Sequence, residues 1–196
     1  MALKTAPTDI GFAQITLSAM NAVATSESPF TYKQQIVQHT GQAWKASVTI
    51  PPVRRDLGEP WVAFLLSLQG PVNTFLLGDP NCVAARGTAV DGDIVATGTA
   101  GDSSVTLTLS NGGTLKAGDY IQLGASSTAR LHKVLADIST TGAVDIWPNL
   151  KATYSAAAVV VDNAKGVFRL KNNVQDWQIG NSNSYGISFE AVEVIV

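Results

Sequence analysis

The sequence is poor in charge. Lys, Arg, Asp and Glu make up 14% of its 196 residues, where an ordinary soluble domain carries about 25%. The balance is −2, and Arg54-Arg55 is the only adjacent basic pair. Proteins that draw their affinity from phosphates show a basic balance or a Lys/Arg stripe. That excludes nucleic-acid binding as the main business of the chain, and a polybasic membrane patch with it. Cysteine is almost absent. Cys82 stands alone, so no internal disulfide or thiolate metal cluster can form. Long apolar runs are missing too. Segments 61–66 and 156–161 are the longest, far below the ~20 residues of a membrane helix. The first residues hold no apolar h-region, so no secretory signal is expected, and the protein reads as soluble.

Histidine is equally scarce. His39 ends a polar stretch, and His132 alternates with Val134, Ala136 and Ile138. Neither has a second histidine at ligand spacing, which argues against zinc. His39 reads as an exposed strand end and His132 as a partly buried strand residue. Cys82 sits in the turn-like Asp79-Pro80-Asn81-Cys82, and a plain structural thiol explains it better than a nucleophile. No Gly-x-Ser-x-Gly elbow and no phosphate-binding loop occur. Asp91-Gly92-Asp93 opens like a calcium loop but lacks the later ligands. Turn chemistry accounts better for it and for Asp102, Asp119, Asp137 and Asp145. No cofactor is expected and no catalytic or metal residue is assigned; the chain is not expected to be an enzyme.

What the sequence has in quantity is period-two alternation. In segment 44–50, Trp44, Ala46, Val48 and Ile50 fall on one face and Lys45, Ser47 and Thr49 on the other. Segment 104–110 places Val105, Leu107 and Leu109 together. Such patterns mark half-buried antiparallel strands. Further strands are expected at 15–24, 31–38, 74–77, 120–123, 131–138, 144–147, 157–161, 167–171, 177–179 and 186–194, many of them bounded by Gly-, Asn- and Asp-rich turns. Gly98-Thr99-Ala100-Gly101 reads as a hairpin connection.

One helix interrupts the strands. Asp56-Leu57-Gly58-Glu59 has capping-box spacing, with Asp for the usual Ser or Thr. Pro60 suits the first turn. Trp61, Phe64, Leu65 and Leu68 follow at i, i+3, i+4 and i+7, one face of a helix, and Gly70-Pro71 stops it. That stripe is expected to pack on a sheet.

Segment 83–163 differs from its flanks, being rich in Gly, Ala, Thr, Ser and short strands. The remaining stretch, 164–196, is too short to fold alone, so it is expected to join the N-terminal strands. The expected organisation is a discontinuous β domain, 1–82 with 164–196, carrying an inserted small β domain, 83–163. Five or six strands suffice there for an OB-like barrel; a jelly-roll-like half sandwich fits almost as well. The fold class is mainly β, an antiparallel β-sandwich with one α-helix plus the small barrel. Of the four tryptophans, Trp44 and Trp61 lie on expected core faces. Trp147, before Pro148, and Trp177 are left as surface candidates, and ordinary packing is favoured for all four.

The run from Trp44 through Ile50-Pro51-Pro52, the capped helix and Asn73-Thr74-Phe75-Leu76-Leu77-Gly78-Asp79-Pro80 carries a resemblance. With it go Leu115-Lys116-Ala117-Gly118-Asp119-Tyr120, Leu131-His132-Lys133-Val134 and Gly166-Val167-Phe168-Arg169-Leu170. Taken in order, these resemble the distal tail proteins of long-tailed, siphovirus-type phages. The outer segments are similar to the ring-forming, or belt, domain, and the middle to a small barrel that some members insert into it. The resemblance implies a structural virion protein of the tail tip, assembled in the host cytoplasm. It implies a homo-oligomeric ring, a hexamer, between the tail tube protein and the baseplate hub protein. DNA would pass through the ring lumen without specific binding. No catalytic residues carry over, and no membrane partner is implied. Ile187, Phe189 and Ala191, alternating near the C-terminus, are expected at a subunit interface. A rival reading is a carbohydrate-binding module with Trp147 as the saccharide contact. Another is a tube or connector subunit, which would stack into filaments. A hydrolase built on His132 or a carboxylate pair ranks last.

Overall fold

Both ends of the chain contribute to one sheet. The computed structural model describes residues 1–180 and 183–195. It begins with β1 (Leu3–Lys4), β2 (Gln14–Glu27) and β3 (Gln34–Arg54), then α1 (Arg55–Leu68) and β4 (Thr74–Leu77). Six short strands follow: β5 (Ile94–Gly98), β6 (Ser104–Leu109), β7 (Tyr120–Leu123), β8 (Arg130–Val134), β9 (Gly142–Trp147) and β10 (Tyr154–Val160). The chain closes with β11 (Gly166–Leu170), β12 (Trp177–Ile179) and β13 (Ser184–Glu193). The protein is mainly β, with a curled sheet and a closed barrel.

The sheet runs β1-β4-β11-β13-β3-β2, with β12 also paired to β13. Only the two-residue β1 pairs in parallel, with β4. The alternation read in segment 44–50 is realised: Trp44, Ala46, Val48 and Ile50 are buried in one core, whereas Ser47 and Thr49 are exposed. Trp61 of α1 stacks on Phe189 with ring centroids 6.4 Å apart. Phe64 meets Phe75 edge-on at 5.6 Å. Trp61, Leu65 and Leu68 are each 1% exposed or less, and burying each such side chain contributes about 1.5–3 kcal/mol.

The helix starts differently from the expectation. β3 runs directly into α1, Arg54 is the extended residue before it, and no side chain caps it. Asp56 lies in the first turn instead of at the cap. Glu59 faces elsewhere: it accepts the Tyr185 hydroxyl at 3.0 Å and pairs with Arg55 at 3.3 Å. Pro60 falls in the helix interior. Its missing N–H leaves the carbonyl four residues earlier without the usual partner. At the other end Gln69 takes the left-handed conformation that ends the helix, and Gly70 after it also has a positive φ.

The six short strands close a barrel in the order β10-β5-β6-β9-β8-β7, every neighbour antiparallel. Its interior is apolar, with Ile94, Ala96, Val105, Leu107, Ile121, Leu123, Val144 and Val159 buried together. β5 has no counterpart in the sequence-based expectations, which place only a hairpin connection at its end; that connection does join β5 to β6. The barrel is not a separate bead. Tyr120 and Leu131 on its outer side belong to the core of the sheet. The Trp44 indole N–H donates to the Leu131 carbonyl at 2.8 Å, and Arg130 donates to the Val194 carbonyl at 2.5 Å.

Candidate functional site

β2 and β3 are long, at 14 and 21 residues. The reason is a hairpin that continues well past the sheet. β13 pairs with β3 only from Arg54 back to Lys45; beyond that point β3 has, among the described residues, no strand neighbour except β2. The projecting part holds eight residues of β2 from Met20 to Glu27, a reach of about 25 Å at ~3.4 Å per residue. From Ser18 to Gly41 every residue is exposed except the half-buried Ser28. Both faces carry apolar side chains, among them Met20, Val23, Ile36 and Val37, and the tip presents Phe30 at 93% and Tyr32 at 76% exposure. Glu27 and Lys33 are the only charged residues between Ser18 and Gly41.

The outer edge of β2 has no strand partner among the described residues. Over its length it carries a single charge, Glu27 at the end, and no proline. Proteins normally blunt an open edge with lysine, proline or a bulge facing outward, because unpaired N–H and C=O groups template pairing with another chain. This edge lacks the first two. The hairpin therefore carries little charge, exposes apolar side chains on both faces and leaves the β2 edge open among the described residues.

The root of the hairpin is gripped by the barrel. Asn21 and Gln42 pair directly across it. The Asn21 Oδ1 accepts the Trp147 indole N–H at 2.8 Å. The Gln42 Oε1 accepts the backbone N–H of Asn149 at 2.7 Å, and the Gln42 carbonyl accepts Lys151 Nζ at 2.6 Å. Trp44 meets Trp147 edge-on with centroids 4.4 Å apart. Its backbone N–H donates to Glu193 Oε2 at 3.0 Å. Burial pushes the Glu193 carboxyl above its ordinary value, against that N–H, Lys151 and Arg130, which lower it. Burial pushes Lys151 down, with Glu193 opposing.

Trp147 is therefore committed. It is half-buried, its N–H is taken by Asn21 and its ring lies against Trp44, so it is no open platform for a sugar face. Ile187, Phe189 and Ala191 need a correction as well. They are buried in the chain's own core at 1%, 6% and 0% exposure, opposite α1. Alternation marks a covered face, and here the cover is the chain's own helix. The exposed apolar side chains gather instead on the hairpin, which the sequence-based site residues do not include. The signal for it was the scarcity of charge from 18 to 41.

The remaining candidates are dispersed. His39 lies on the exposed hairpin, while His132 is fully buried in the barrel. Its Nδ1–H donates to the Pro148 carbonyl at 2.7 Å, because a carbonyl can only accept. Burial holds its pKa at about 4. Cys82 lines a surface cleft with Arg86, Asp119, Tyr120 and Lys133, and burial pushes its thiol up, away from the thiolate that a nucleophile requires. Several aspartates accept backbone N–H groups, some within their own turn and some from distant segments. Asp91 accepts the N–H groups of Val161 and Asp162, Asp102 that of Thr99, and Asp119 those of Arg86 and Lys116. Among the described residues no cluster of three or more His, Cys, Asp or Glu is placed to hold a metal. Nor, among the described residues, is any helix long and apolar enough to cross a membrane. A scan against family models finds no match for this chain, and neither does a search of curated proteins. The resemblance to distal tail proteins thus stands on the motifs quoted above.

Proposed function

We propose that this chain is a structural subunit of a phage tail tip, one that closes with its own copies into a ring between the tail tube and the baseplate hub. The observation that carries the reading is the projecting hairpin, exposed on both faces, nearly without charge and open along β2. Copies related by rotation can lay this edge and these faces against one another head to tail, and a closed ring leaves no copy with a free edge. In this reading the chain is not an enzyme, six copies surround the lumen, and DNA passes through without specific contacts. The quoted motifs supply the phage assignment, and the sheet shared by both chain ends accords with a belt domain.

Electron-microscopy class averages of the purified protein test it. Closed six-fold rings are expected, and they should vanish when residues 22–40 are replaced by a two-residue turn. Filaments would favour a tube subunit. Monomer at every concentration, even with the neighbouring tail proteins added, would overturn the proposal.

A further inference from the structure

The grip of the barrel on the hairpin is specific in position. Asn21 and Gln42 form the last regular pair before the ladder breaks: the next aligned pair is Val23 with Gln38. One residue of β2 therefore spans residues 39–41 of β3, a bulge at which the hairpin can change direction. Gly41 lies in it, and a Cβ there would stand 3.1 Å from the Cβ of Ala22. A side chain at Gly41 would therefore crowd Ala22 where the ladder is irregular. Immediately below, both side chains of the Asn21–Gln42 pair are held from one side by a single corner of the barrel.

That corner, residues 147–151, is itself anchored. Asn149 Nδ2 donates to the Gly101 carbonyl at 3.1 Å. The backbone of Leu150 exchanges hydrogen bonds with Asp102 and Gly101 at 2.9 and 2.7 Å. The load on the hairpin root is passed in this way to the β5–β6 turn at the far side of the corner. Of the three grips, Lys151 on the Gln42 carbonyl is charge-assisted, the stronger kind of hydrogen bond. No contact joins the barrel to the hairpin beyond the bulge among the hydrogen bonds of the described residues.

We infer that the barrel corner formed by Trp147, Asn149 and Lys151 is a latch that sets the direction in which the hairpin leaves the sheet. The bulge is the hinge, and the latch fixes the segment below it. Resting on the reading that the hairpin docks a second copy, the latch ties that docking to the barrel. Whatever pulls on or binds the barrel corner alters the hairpin, and a docked hairpin stiffens the corner in return, since coupling between two sites is reciprocal. The barrel then has a task inside the subunit apart from any partner it holds outside.

The test is hydrogen exchange on the full chain, dilute enough to be monomeric, comparing wild type with the double variant Trp147→Phe, Lys151→Met. Phe keeps an aromatic ring on the Trp44 side and removes the indole N–H, at the cost of a smaller ring; Met keeps the stem of Lys151 and removes the charge. Two lost hydrogen bonds should speed exchange of the hairpin-root amides, residues 20–24 and 37–42, by about tenfold. Amides of β5, β6 and β13 should keep their wild-type rates. Unchanged exchange at the root, or equal acceleration of barrel and sheet, overturns the latch. Assembly is the second reading: the double variant should form fewer rings than wild type at equal concentration, and equal assembly overturns the tie to docking. If wild type itself never assembles, the ring reading falls while the exchange result still decides the latch.

Discussion

Acid should destabilise this fold through one side chain. His132 is fully buried, its Nδ1–H is bonded to the Pro148 carbonyl, and its Nε2 has no hydrogen-bond partner among the described residues. Burial foremost, with the cations of Lys151 and Arg130, lowers its pKa from 6.5 to about 4, against the raising effect of the Pro148 carbonyl. A ring in the unfolded chain takes up a proton near pH 6.5; the folded one does not until about pH 4. The unfolded state therefore binds more protons in that window. The stability this group contributes is complete above pH 6.5 and is lost as pH falls towards 4. A drop from 6.5 to about 4, at ~1.4 kcal/mol per unit, is worth about 3 kcal/mol. Glu193 acts in the opposite direction. Its raised pKa means that acidification relieves a buried charge, while Asp137 and Glu190, whose pKa values hydrogen bonds and neighbouring lysines lower, add to the acid loss, so the wild-type curve alone mixes several effects. The substitution His132→Gln separates them, since glutamine can still donate to Pro148 and does not titrate. Urea unfolding should be measured for both proteins from pH 7.5 to pH 4. The wild-type stability minus that of the variant should fall by about 3 kcal/mol across the range. Parallel curves would refute the reasoning.

Other substitutions probe the frame around the arm. Trp61→Ala removes the ring that stacks on Phe189 and meets Phe64 edge-on; it should cost about 3–5 kcal/mol in chemical unfolding. Gly78→Ala places a methyl against the Ala164 carbonyl oxygen, where the chain leaves the sheet beside the point of its return, and calorimetry should record a loss of about 1–3 kcal/mol. The Cys82 thiol is half-buried and raised, so iodoacetamide at neutral pH should modify it more slowly in the folded protein than in urea. Phe30→Ser leaves the core untouched, because Phe30 is 93% exposed; it should shift monomer stability by less than about 0.5 kcal/mol while weakening self-association in sedimentation.

Much of the fold is legible in the sequence wherever a covered face leaves its period. The alternation in segment 44–50 and the stripe Trp61, Phe64, Leu65, Leu68 both predict buried faces, and the two meet in one core. The strands at 74–77, 120–123 and 177–179 match β4, β7 and β12 residue for residue. Where burial is brief the pattern fades. β5 buries only Ile94 and Ala96, and five residues ending in Gly98 resemble a turn. The hairpin fails to register for a different reason. Periodicity reports a difference between two faces, and from Ser18 to Gly41 neither face is covered by the chain itself. Segments 31–38 and 44–50 therefore read as two strands, although β3 passes through both without interruption. Ile187, Phe189 and Ala191 illustrate the converse limit. Their spacing states that something covers them, and only the position of α1 states what.

The same physics explains why the hairpin needs both a root and a cover. A two-stranded ribbon in water is marginal at best, because ordering the backbone costs about 1–2 kcal/mol per residue. Its cross-strand pairs return only a fraction of that, about 0.2–1 kcal/mol each. The segment from Val23 to Gln38 has no third strand and contributes no residue to either large core. What holds it is its own ladder and the latch at Asn21 and Gln42. A charge-rich ribbon would be content in solvent; this one, with Glu27 and Lys33 alone, exposes apolar area that water disfavours. Pairing the β2 edge with another strand supplies the missing backbone partners and covers Val23 and Ile36 or Ala24 and Val37 in one step. In the proposed ring the cost of ordering would already be met at the root by the barrel, and the arm would reach a neighbouring copy pre-aimed, which is how a rigid element gains affinity without added contacts.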